Sequence, residues 1–443
     1  MEVVLSHVCS EWRNIAINLP SLWTAFKFDS HRRGSWTDPT SKLEEYLCRS
    51  GTHLLELYFS FSVSNYMEDP EDLDWDPNFY RDLALVKIAI AHACRWRRFT
   101  LFADESIPLF EFTNEIYVPN LEYLALCILR DPLRQNIDPL VFTGDAPKLY
   151  AVRIYPTTPL HLPPPLSNIT TLVIEGPDDD GAHFQIENFY SILTIPTLTN
   201  LSIEACSCLD PWIYDGEKFQ MPSLKTLRIS QDSNILGMLS SIDAPLLETL
   251  ALHNVDLSEV WVDQDIHSIP TFIRLDTIVL LDCRYQFRRL GEEYANEVDM
   301  IFNTLVCHAT HIIISSHGGP SFIENGSNIL NFGQYGWPRL QRITLDLSAS
   351  SGPWSYTRIL KRSPHSITVR VTKPLLDEWE IFSSGLTRLE KVCKLETMKV
   401  GDLMMDEPWP APGELFEEDG ILENRFIWGE ALRAKGPDWI LEE

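Results

Sequence analysis

A short apolar phrase that recurs along the chain constrains the fold more than any other feature. Its two fullest copies run from Leu198 to Cys206 and from Leu275 to Cys283, with apolar residues at the first, fourth and sixth positions and cysteine at the ninth. Apolar residues at every second position predict a strand with one buried face. Shorter copies are Trp96–Leu101, Leu121–Leu126, Leu149–Ile154, Ile169–Ile174, Leu224–Ile229, Leu247–Leu252, Leu340–Leu345 and Ile367–Val369.

The residues around these copies indicate what connects the strands. A proline precedes several copies, as at Pro196 and Pro245, and proline suits the turn before a strand because it has no amide for a ladder. Helical periodicity appears between copies, for example from Leu375 to Phe382. This pattern is typical of leucine-rich repeats. We therefore predict an α/β fold, an irregular leucine-rich-repeat solenoid of parallel strands with outer helices.

Three segments depart from the repeat and set the predicted domain borders. Residues 1–28 are predicted to be a helical segment, and residues 29–401 the repeat solenoid. The solenoid contains an acidic insertion at residues 67–82, predicted to be a solvated loop because it lacks the glycine and the final glutamate of a calcium loop. Residues 402–443 carry 12 acidic and 3 basic residues. They are predicted to cap the last repeat or to dock elsewhere.

Local signals predict the first elements. An amphipathic helix is expected over residues 2–18, ending before Pro20. A second helix is expected to begin at a capping box, Ser41–Glu44, and to stop at Gly51. The run from Leu54 to Phe59 is then predicted to be the first strand of the sheet.

Charge and composition restrict the partners and the compartment. The chain carries 36 basic and 63 acidic residues, a net charge of −27, and such a surface repels the phosphates of nucleic acid. No apolar run approaches the length of a membrane span. The nine cysteines show no C-x-x-C spacing and are expected to be reduced, buried thiols. Without a signal peptide, the expected location is the cytoplasm, the nucleus or both.

No catalytic or metal-binding pattern emerges. Nucleophile-elbow, phosphate-loop and dinucleotide-binding motifs are absent. His308 and His311 are spaced to share a helix face but lack two further ligands for zinc, and Cys206 with Cys208 makes only half of a metal knuckle. We expect no enzyme activity, no cofactor and no metal.

The predicted strands offer a candidate binding surface instead. If Leu250 and Leu252 point into the core, Thr249, Ala251 and His253 point onto the opposite, concave face. Polar side chains on that face either only solvate the sheet or bind a protein substrate. The candidate substrate-binding residues are Tyr123, Tyr155, Asn200, Ser202, Glu204, Arg228, His253, Arg342 and Asp346.

The N-terminal residues carry a family resemblance. The stretch Leu5–Ala16 followed by Leu19–Trp23 resembles the second half of an F-box, as found in the large fungal group of F-box proteins with irregular leucine-rich repeats. That resemblance implies docking on the Skp adaptor of an SCF-type cullin–RING ubiquitin ligase, with the repeats presenting a substrate of unknown identity. The residues that it assigns to the adaptor-binding F-box helices are Val4, Leu5, Val8, Trp12, Ile15, Pro20, Leu22 and Trp23.

The first half of the F-box pattern has no counterpart before these residues. Either a truncated gene model or a shortened motif would explain that difference. Whether the chain binds the adaptor depends on which of the two explanations holds. The alternative function is an adaptor-independent leucine-rich-repeat scaffold that binds proteins.

Overall fold

The structure, a computed structural model, contains two compact units, within residues 1–197 and residues 198–443. Both units are built mainly from short parallel strands joined in chain order. Among the described residues, no helix is both long enough and apolar enough to cross a membrane. The described residues are 9–30, 38–61, 77–104, 116–129, 144–154, 167–175, 193–204, 218–230, 239, 241–255, 272–281, 283, 307–316, 338–347, 357, 360, 366–381 and 383–398.

The described part of the first unit holds three helices and six parallel strands. Each strand pairs with the next along the chain. Two 3-10 turns, Pro20–Trp23 and Ala93–Arg95, come just before strands. The elements are α1 (Ser10–Ile17), β1 (Ala25–Asp29), α2 (Pro39–Arg49), β2 (Leu55–Ser60), α3 (Pro77–Ile90), β3 (Trp96–Asp104), β4 (Tyr123–Leu129), β5 (Ala151–Ile154) and β6 (Thr171–Glu175).

The described part of the second unit holds eight parallel strands in its main sheet. It also holds a small two-stranded sheet and two helices near its last strands. The elements are β7 (Asn200–Glu204), β8 (Phe219–Gln220), β9 (Thr226–Ser230), β10 (Ile242–Asp243), β11 (Thr249–His253), β12 (Thr277–Leu281), β13 (His311–Ser316), β14 (Arg342–Leu347), β15 (Ile367–Thr372), α4 (Lys373–Ile381), α5 (Ser383–Glu390) and β16 (Cys393–Met398).

The order of the strands separates these sheets from other parallel architectures. In the second unit β7 pairs with β9, β9 with β11, and each later strand with the next as far as β16. β8 and β10 pair with each other. No described strand of either unit returns to close a barrel, and the order within each unit does not reverse as it does in a doubly wound sheet. The predicted α/β class with parallel strands is confirmed for the described residues.

A turn with one recurring hydrogen bond precedes many of the strands. The amide of Leu121 donates to the carbonyl of Val118 at 3.2 Å, and the amide of Leu247 donates to the carbonyl of Ala244 at 3.1 Å. A proline follows the accepting residue in both cases. Proline fixes φ near the value that the second residue of such a turn needs. Where a proline precedes a strand, it therefore shapes the turn that starts that strand.

A shared carbonyl then aligns each strand with the next. The Glu248 carbonyl accepts the amides of Asp276 and Thr277 at 2.8 and 3.0 Å, and the Asp276 carbonyl accepts those of Thr310 and His311 at 2.9 and 3.0 Å. Neighbouring strands consequently begin at the same level, and equivalent residues of successive copies lie side by side. The carbonyls of Glu122, Tyr150, Thr199, Lys225 and Thr310 each accept two amides in the same way.

Aromatic rings fill the core of the first unit beside β1, β2 and β3. Phe26 and Phe59 lie 6.1 Å apart, Phe59 and Phe99 lie 6.0 Å apart, and Trp96 stacks on Phe99 at 4.2 Å between ring centroids. Tyr46 of α2 meets Phe26 edge-on at 5.4 Å. Edge-to-face and offset stacking are favourable geometries for aromatic pairs. These contacts hold α2 against the sheet.

Aliphatic side chains fill the core of the second unit. Leu250 lies between Leu227 and Ile278 in the strand register, and all three side chains are fully buried. We call the face of the β7–β16 sheet that carries these residues the aliphatic face. Near its end Leu375 and Trp379 of α4 are also buried. The aliphatic face is therefore continuous from strand to strand.

Helix α2 begins three residues earlier than predicted. Its N-cap is Asp38, whose carboxylate accepts the amides of Thr40 and Ser41 at 3.1 and 3.3 Å, so the capping box predicted at Ser41–Glu44 is wrong. Hydrogen bonds from the Ser41 and Thr40 hydroxyls and amides lower the pKa of Asp38 to about 2, which keeps a negative charge at the positive end of the helix. The predicted stop at Gly51 is confirmed, since Gly51 has a φ of +57° just after the C-cap Ser50.

The first strand also lies earlier than predicted. β1 pairs with β2 along its whole length, so the strand predicted from Leu54 is the second of the sheet. The predicted domain border after residue 28 falls inside β1. Trp23, before β1, donates its indole N–H to the Ala16 carbonyl at 2.7 Å, and Trp96, at the start of β3, donates to the Ala89 carbonyl at 3.1 Å. The chain therefore enters β1 from α1 in the same way as it enters β3 from α3.

Several predictions fall partly or wholly outside the described residues. The acidic insertion at residues 67–82 is helical from Pro77 onward, where α3 begins, so the loop prediction is wrong for that part. Residues 2–8 of the predicted first helix are not described, and the described helix ends at Ile17. The late helix predicted from Leu375 is confirmed as α4. The acidic tail at residues 402–443 lies outside the described residues.

Replacing Leu250 by alanine should lower the free energy of unfolding by about 2–5 kcal/mol, because it opens a cavity in the fully buried aliphatic face. Ile381→Ala is the matched control, since that side chain is 77% exposed and its loss should change stability by about 0.5 kcal/mol or less. Denaturant unfolding of both variants measures the difference. Equal effects would contradict the assignment of the aliphatic face.

Candidate functional site

The first candidate surface is α1, which exposes most of its apolar residues. Trp12 is 48% exposed and Ile15 is 51% exposed, while Ala16 is the buried residue of the helix. Ile17 and Leu19 are exposed as well. Scattered exposed apolar residues are ordinary, but a group on one short helix marks a site for contact with another surface.

The residues that follow α1 anchor it to the first unit. Trp23 is buried; its ring meets Tyr46 edge-on at 5.1 Å, and the Arg49 guanidinium lies 4.2 Å from the ring centroid. Pro20 and Leu22 are half-buried. Trp23 is therefore a packing residue, and Trp12 and Ile15 are the accessible ones.

The eight predicted adaptor-binding residues thus divide into three groups. Trp12 and Ile15 form an exposed apolar surface, and Pro20, Leu22 and Trp23 support it. The other predicted adaptor-binding residues, Val4, Leu5 and Val8, lie outside the described residues.

The second candidate surface is the face of the β7–β16 sheet opposite the aliphatic face, which we call the second face. The register places Ser202, Arg228, Ala251 and Val279 in one row on this face. The predicted division of alternate residues between two faces is therefore confirmed. The expectation that the second face is open to solvent is wrong for most of it, because Ser202, Arg228 and His253 are at most 5% exposed. Parallel strands are usually covered on both faces.

Buried polar groups of the second face hydrogen-bond across neighbouring strands. Ser230 Oγ lies 3.0 Å from His253 Nδ1, and His311 Nε2 lies 2.9 Å from Thr344 Oγ1. The Ser315 hydroxyl donates to the buried Asp346 carboxylate at 3.3 Å. Buried polar groups need such partners, since an unpaired one destabilises the fold. These side chains consequently stabilise the sheet.

An apolar cluster occupies the middle of the same face. Ala251, Val279, Leu281, Ile313 and Met398 pack together, and each is at most 2% exposed. Met398 lies in β16, so the cluster spans several strands of the second unit. This part of the face is a second core and not an open binding groove.

The structure places the predicted substrate-binding residues in different environments. Tyr123 is buried, with the Arg98 guanidinium 5.9 Å from its ring centroid, and Asn200 is 9% exposed. Arg342 is exposed. Tyr155 and the side chain of Glu204 lie outside the described residues. The remaining predicted residues, all buried, are Ser202, Arg228, His253 and Asp346.

Three charged residues that sequence reasoning missed lie near Arg342. Arg370 in β15 and Lys394 and Glu396 in β16 are half-buried or exposed. Arg370 belongs to an alternating run, Ile367–Thr372, whose polar positions could have identified it. β16 escaped notice because its sequence, CKLETM, lacks the strong aliphatic alternation of the other strands.

The histidines and cysteines among the described residues are not grouped as metal ligands. His308 lies in a turn and His311 in β13, so the expectation of a shared helix face is wrong. The described residues contain no group of three or more metal-ligating side chains. Cys9 and Cys94 were expected to be buried but are exposed. Burial of Cys393, together with the nearby Glu390 carboxylate, raises the pKa of its thiol to about 11. A thiol with a raised pKa is a poor nucleophile at neutral pH.

Comparisons with protein-family models, with curated proteins and with solved structures found no match for this chain. The candidate surfaces are therefore judged on their own geometry.

Ser315→Ala should lower the free energy of unfolding by about 1–3 kcal/mol, because it removes a donor from the buried Asp346 carboxylate. Ser366→Ala, at an exposed position just before β15, should change it by about 0.5 kcal/mol or less. Denaturant unfolding compares the two. A Ser315 variant as stable as the Ser366 variant would show that the second face is solvated and not a core.

Proposed function

We propose that this protein is a substrate-recognition subunit of an SCF-type ubiquitin ligase. In this proposal the exposed apolar surface of α1 binds the Skp adaptor, and the sheet carries a protein substrate. The chain itself performs no catalytic step. The resemblance of the N-terminal stretch to an F-box motivates the proposal, and parallel strands that each carry the recurring apolar phrase agree with it.

The exposure of Trp12 and Ile15 is the observation on which the proposal depends. Each leaves about half of its large apolar side chain in solvent, although Trp23 nearby is buried. Burying such side chains against a partner is favourable by about 25 cal/mol per Å² of apolar area. Tryptophan is also among the residues that most often dominate binding energy.

The proposed role has consequences for partners and location. A net charge of −27 disfavours nucleic acid as a partner of the whole molecule. We propose the cytoplasm, the nucleus or both as its location.

A second candidate function is an adaptor-independent repeat scaffold that binds proteins. The observation that favours it is the way the chain enters β1. The contact from Trp23 to Ala16 repeats the contact from Trp96 to Ala89, as if α1 were one more element of the repeating architecture. In that case the exposed residues of α1 serve no adaptor.

Adaptor pull-down separates the two functions. The chain and a version that includes any coding sequence upstream of Met1 should be tested with purified Skp adaptor. If the proposal holds, Trp12→Ala combined with Ile15→Ala should weaken capture by about tenfold or more, because it removes the exposed apolar contact.

The matched control combines Tyr117→Ala and Ile273→Ala, which remove similarly exposed apolar side chains, 53% and 59% exposed, that do not belong to α1. This control should bind the adaptor like the unmodified chain. Failure of both versions to bind the adaptor would refute the ligase role and leave the scaffold.

A further inference from the structure

Arg49, at the end of α2, links that helix to the turn that follows α1. Its guanidinium carbon lies 4.2 Å from the centroid of the Trp23 ring, and its side chain is 26% exposed. Glu45, one helical turn earlier, pairs with the Arg49 Nε atom at 2.5 Å. The guanidinium is therefore held over the ring by its own helix. None of the residues assigned to adaptor binding lies in α2.

The contact between Arg49 and Trp23 is favourable. A cation over an aromatic face is attracted by the electrons of the ring, and tryptophan gives the strongest attraction. Tyr46, also in α2, meets the same ring edge-on at 5.1 Å. Residues three positions apart lie on the same side of a helix, so Tyr46 and Arg49 can contact one ring together. Two residues of α2 consequently fix the Trp23 ring, which is 3% exposed.

Trp23 passes this constraint on to α1. Its indole N–H donates to the Ala16 carbonyl at 2.7 Å. Ala16 lies in the last turn of α1 and is the buried residue of that helix. The last four carbonyls of a helix lack amide partners within it, so the indole supplies a donor that the helix end needs. The position of α1 therefore depends on Trp23, and the position of Trp23 depends on α2.

Helix α1 needs an anchor because it is short. It has eight residues, and isolated helices of fewer than about 12–15 residues are marginal in water. Its order must therefore come from contacts with the rest of the first unit. Trp12 and Ile15 leave about half of their side chains in solvent, so they contribute less to those contacts than buried residues do. We call the contacts that run from Ala16 through Trp23 to Arg49 the α1 anchor.

A second tryptophan shows what distinguishes the α1 anchor. Trp96 donates its indole N–H to the Ala89 carbonyl of α3 at 3.1 Å, as Trp23 does to α1. However, Trp96 is fully buried and stacks on Phe99 at 4.2 Å, inside the aromatic core. The contact of Trp23 with Arg49 lies at the surface instead, because the Arg49 side chain is partly exposed. It can therefore be altered without opening a cavity in the core.

We propose that Arg49 is a positioning residue of the adaptor-binding surface. By holding Trp23, it keeps α1 in the orientation in which Trp12 and Ile15 face a partner. In this role Arg49 acts through Trp23 and not by direct contact with the adaptor. The effect on adaptor binding rests on the proposed function, whereas the effect on α1 is a property of the chain alone.

Hydrogen exchange of the full chain tests the anchoring. Arg49→Met removes the cation but keeps a long side chain, and it should raise the exchange rate of the hydrogen-bonded α1 amides by about two- to fivefold. Arg49→Lys keeps a cation that can lie over Trp23, so it should recover part of that difference. Exchange in β3, in the core of the same unit, should stay unchanged, whereas a general loss of stability would raise it as well.

Capture by purified Skp adaptor tests the consequence for binding. Arg49→Met should weaken capture by about two- to fivefold, because a smaller fraction of the chain then holds α1 in the binding position. Arg49→Lys should bind with an affinity between those of this variant and the unmodified chain. Rescue by the second cation distinguishes a contact with the Trp23 ring from a simple loss of side-chain bulk.

The matched control is Lys373→Met. Lys373 forms an exposed ion pair with Asp377, four residues later in α4 of the second unit. This variant therefore also loses one cation and one helical ion pair, but outside the first unit. Its α1 amides should exchange, and it should bind the adaptor, like the unmodified chain. Thermal melts identify any variant that fails to fold.

Four results would overturn the proposal. They are unchanged α1 exchange in Arg49→Met, an equal rise of exchange in β3, equal behaviour of Arg49→Lys and Arg49→Met, and full adaptor capture by Arg49→Met. If the unmodified chain does not bind the adaptor, the proposed function fails, and faster α1 exchange in Arg49→Met would still confirm the anchoring. The two measurements therefore separate failure of the adaptor proposal from failure of this one.

Discussion

The shared carbonyl between consecutive strands is the contact on which the rest of the sheet depends. When the Glu248 carbonyl accepts the amides of both Asp276 and Thr277, the second strand cannot slip along the first without losing both hydrogen bonds. A slip of one residue would also turn every side chain to the wrong face. Repetition of this contact keeps Leu250 beside Ile278 and prevents the aliphatic face from mixing with the second face.

The fixed register keeps each side chain on its own face. Residues of different chemistry can therefore occupy the second face of successive strands. Polar pairs such as Ser230 with His253 lie towards β9, apolar residues such as Val279 lie in the middle, and cations such as Arg342 lie towards the end. The aliphatic face does not vary in this way from β7 to β15, where each strand of the main sheet contributes at least two buried aliphatic residues. The variation between strands is therefore a property of the second face.

This division explains what the sequence could and could not predict. Alternation assigns each residue to a face, and the register confirms that assignment for Thr249, Leu250 and Ala251. Alternation does not reveal what covers a face, so Arg228 and Asp346 appeared open to solvent although both are buried. Burial depends on tertiary contacts, which are not encoded in a window of a few residues. Arg370 was missed because the sequence pattern identified only Ile367–Val369 of its strand, and the alternation was not followed to the next residue.

Charged side chains on the outer strands of a sheet discourage pairing with other strands. β16 is the last described strand of the second unit, and it carries Lys394 and Glu396 on the second face. The two side chains form an ion pair, whereas the middle of the same face is apolar. The register that builds the two cores therefore also brings charge to the last described strand.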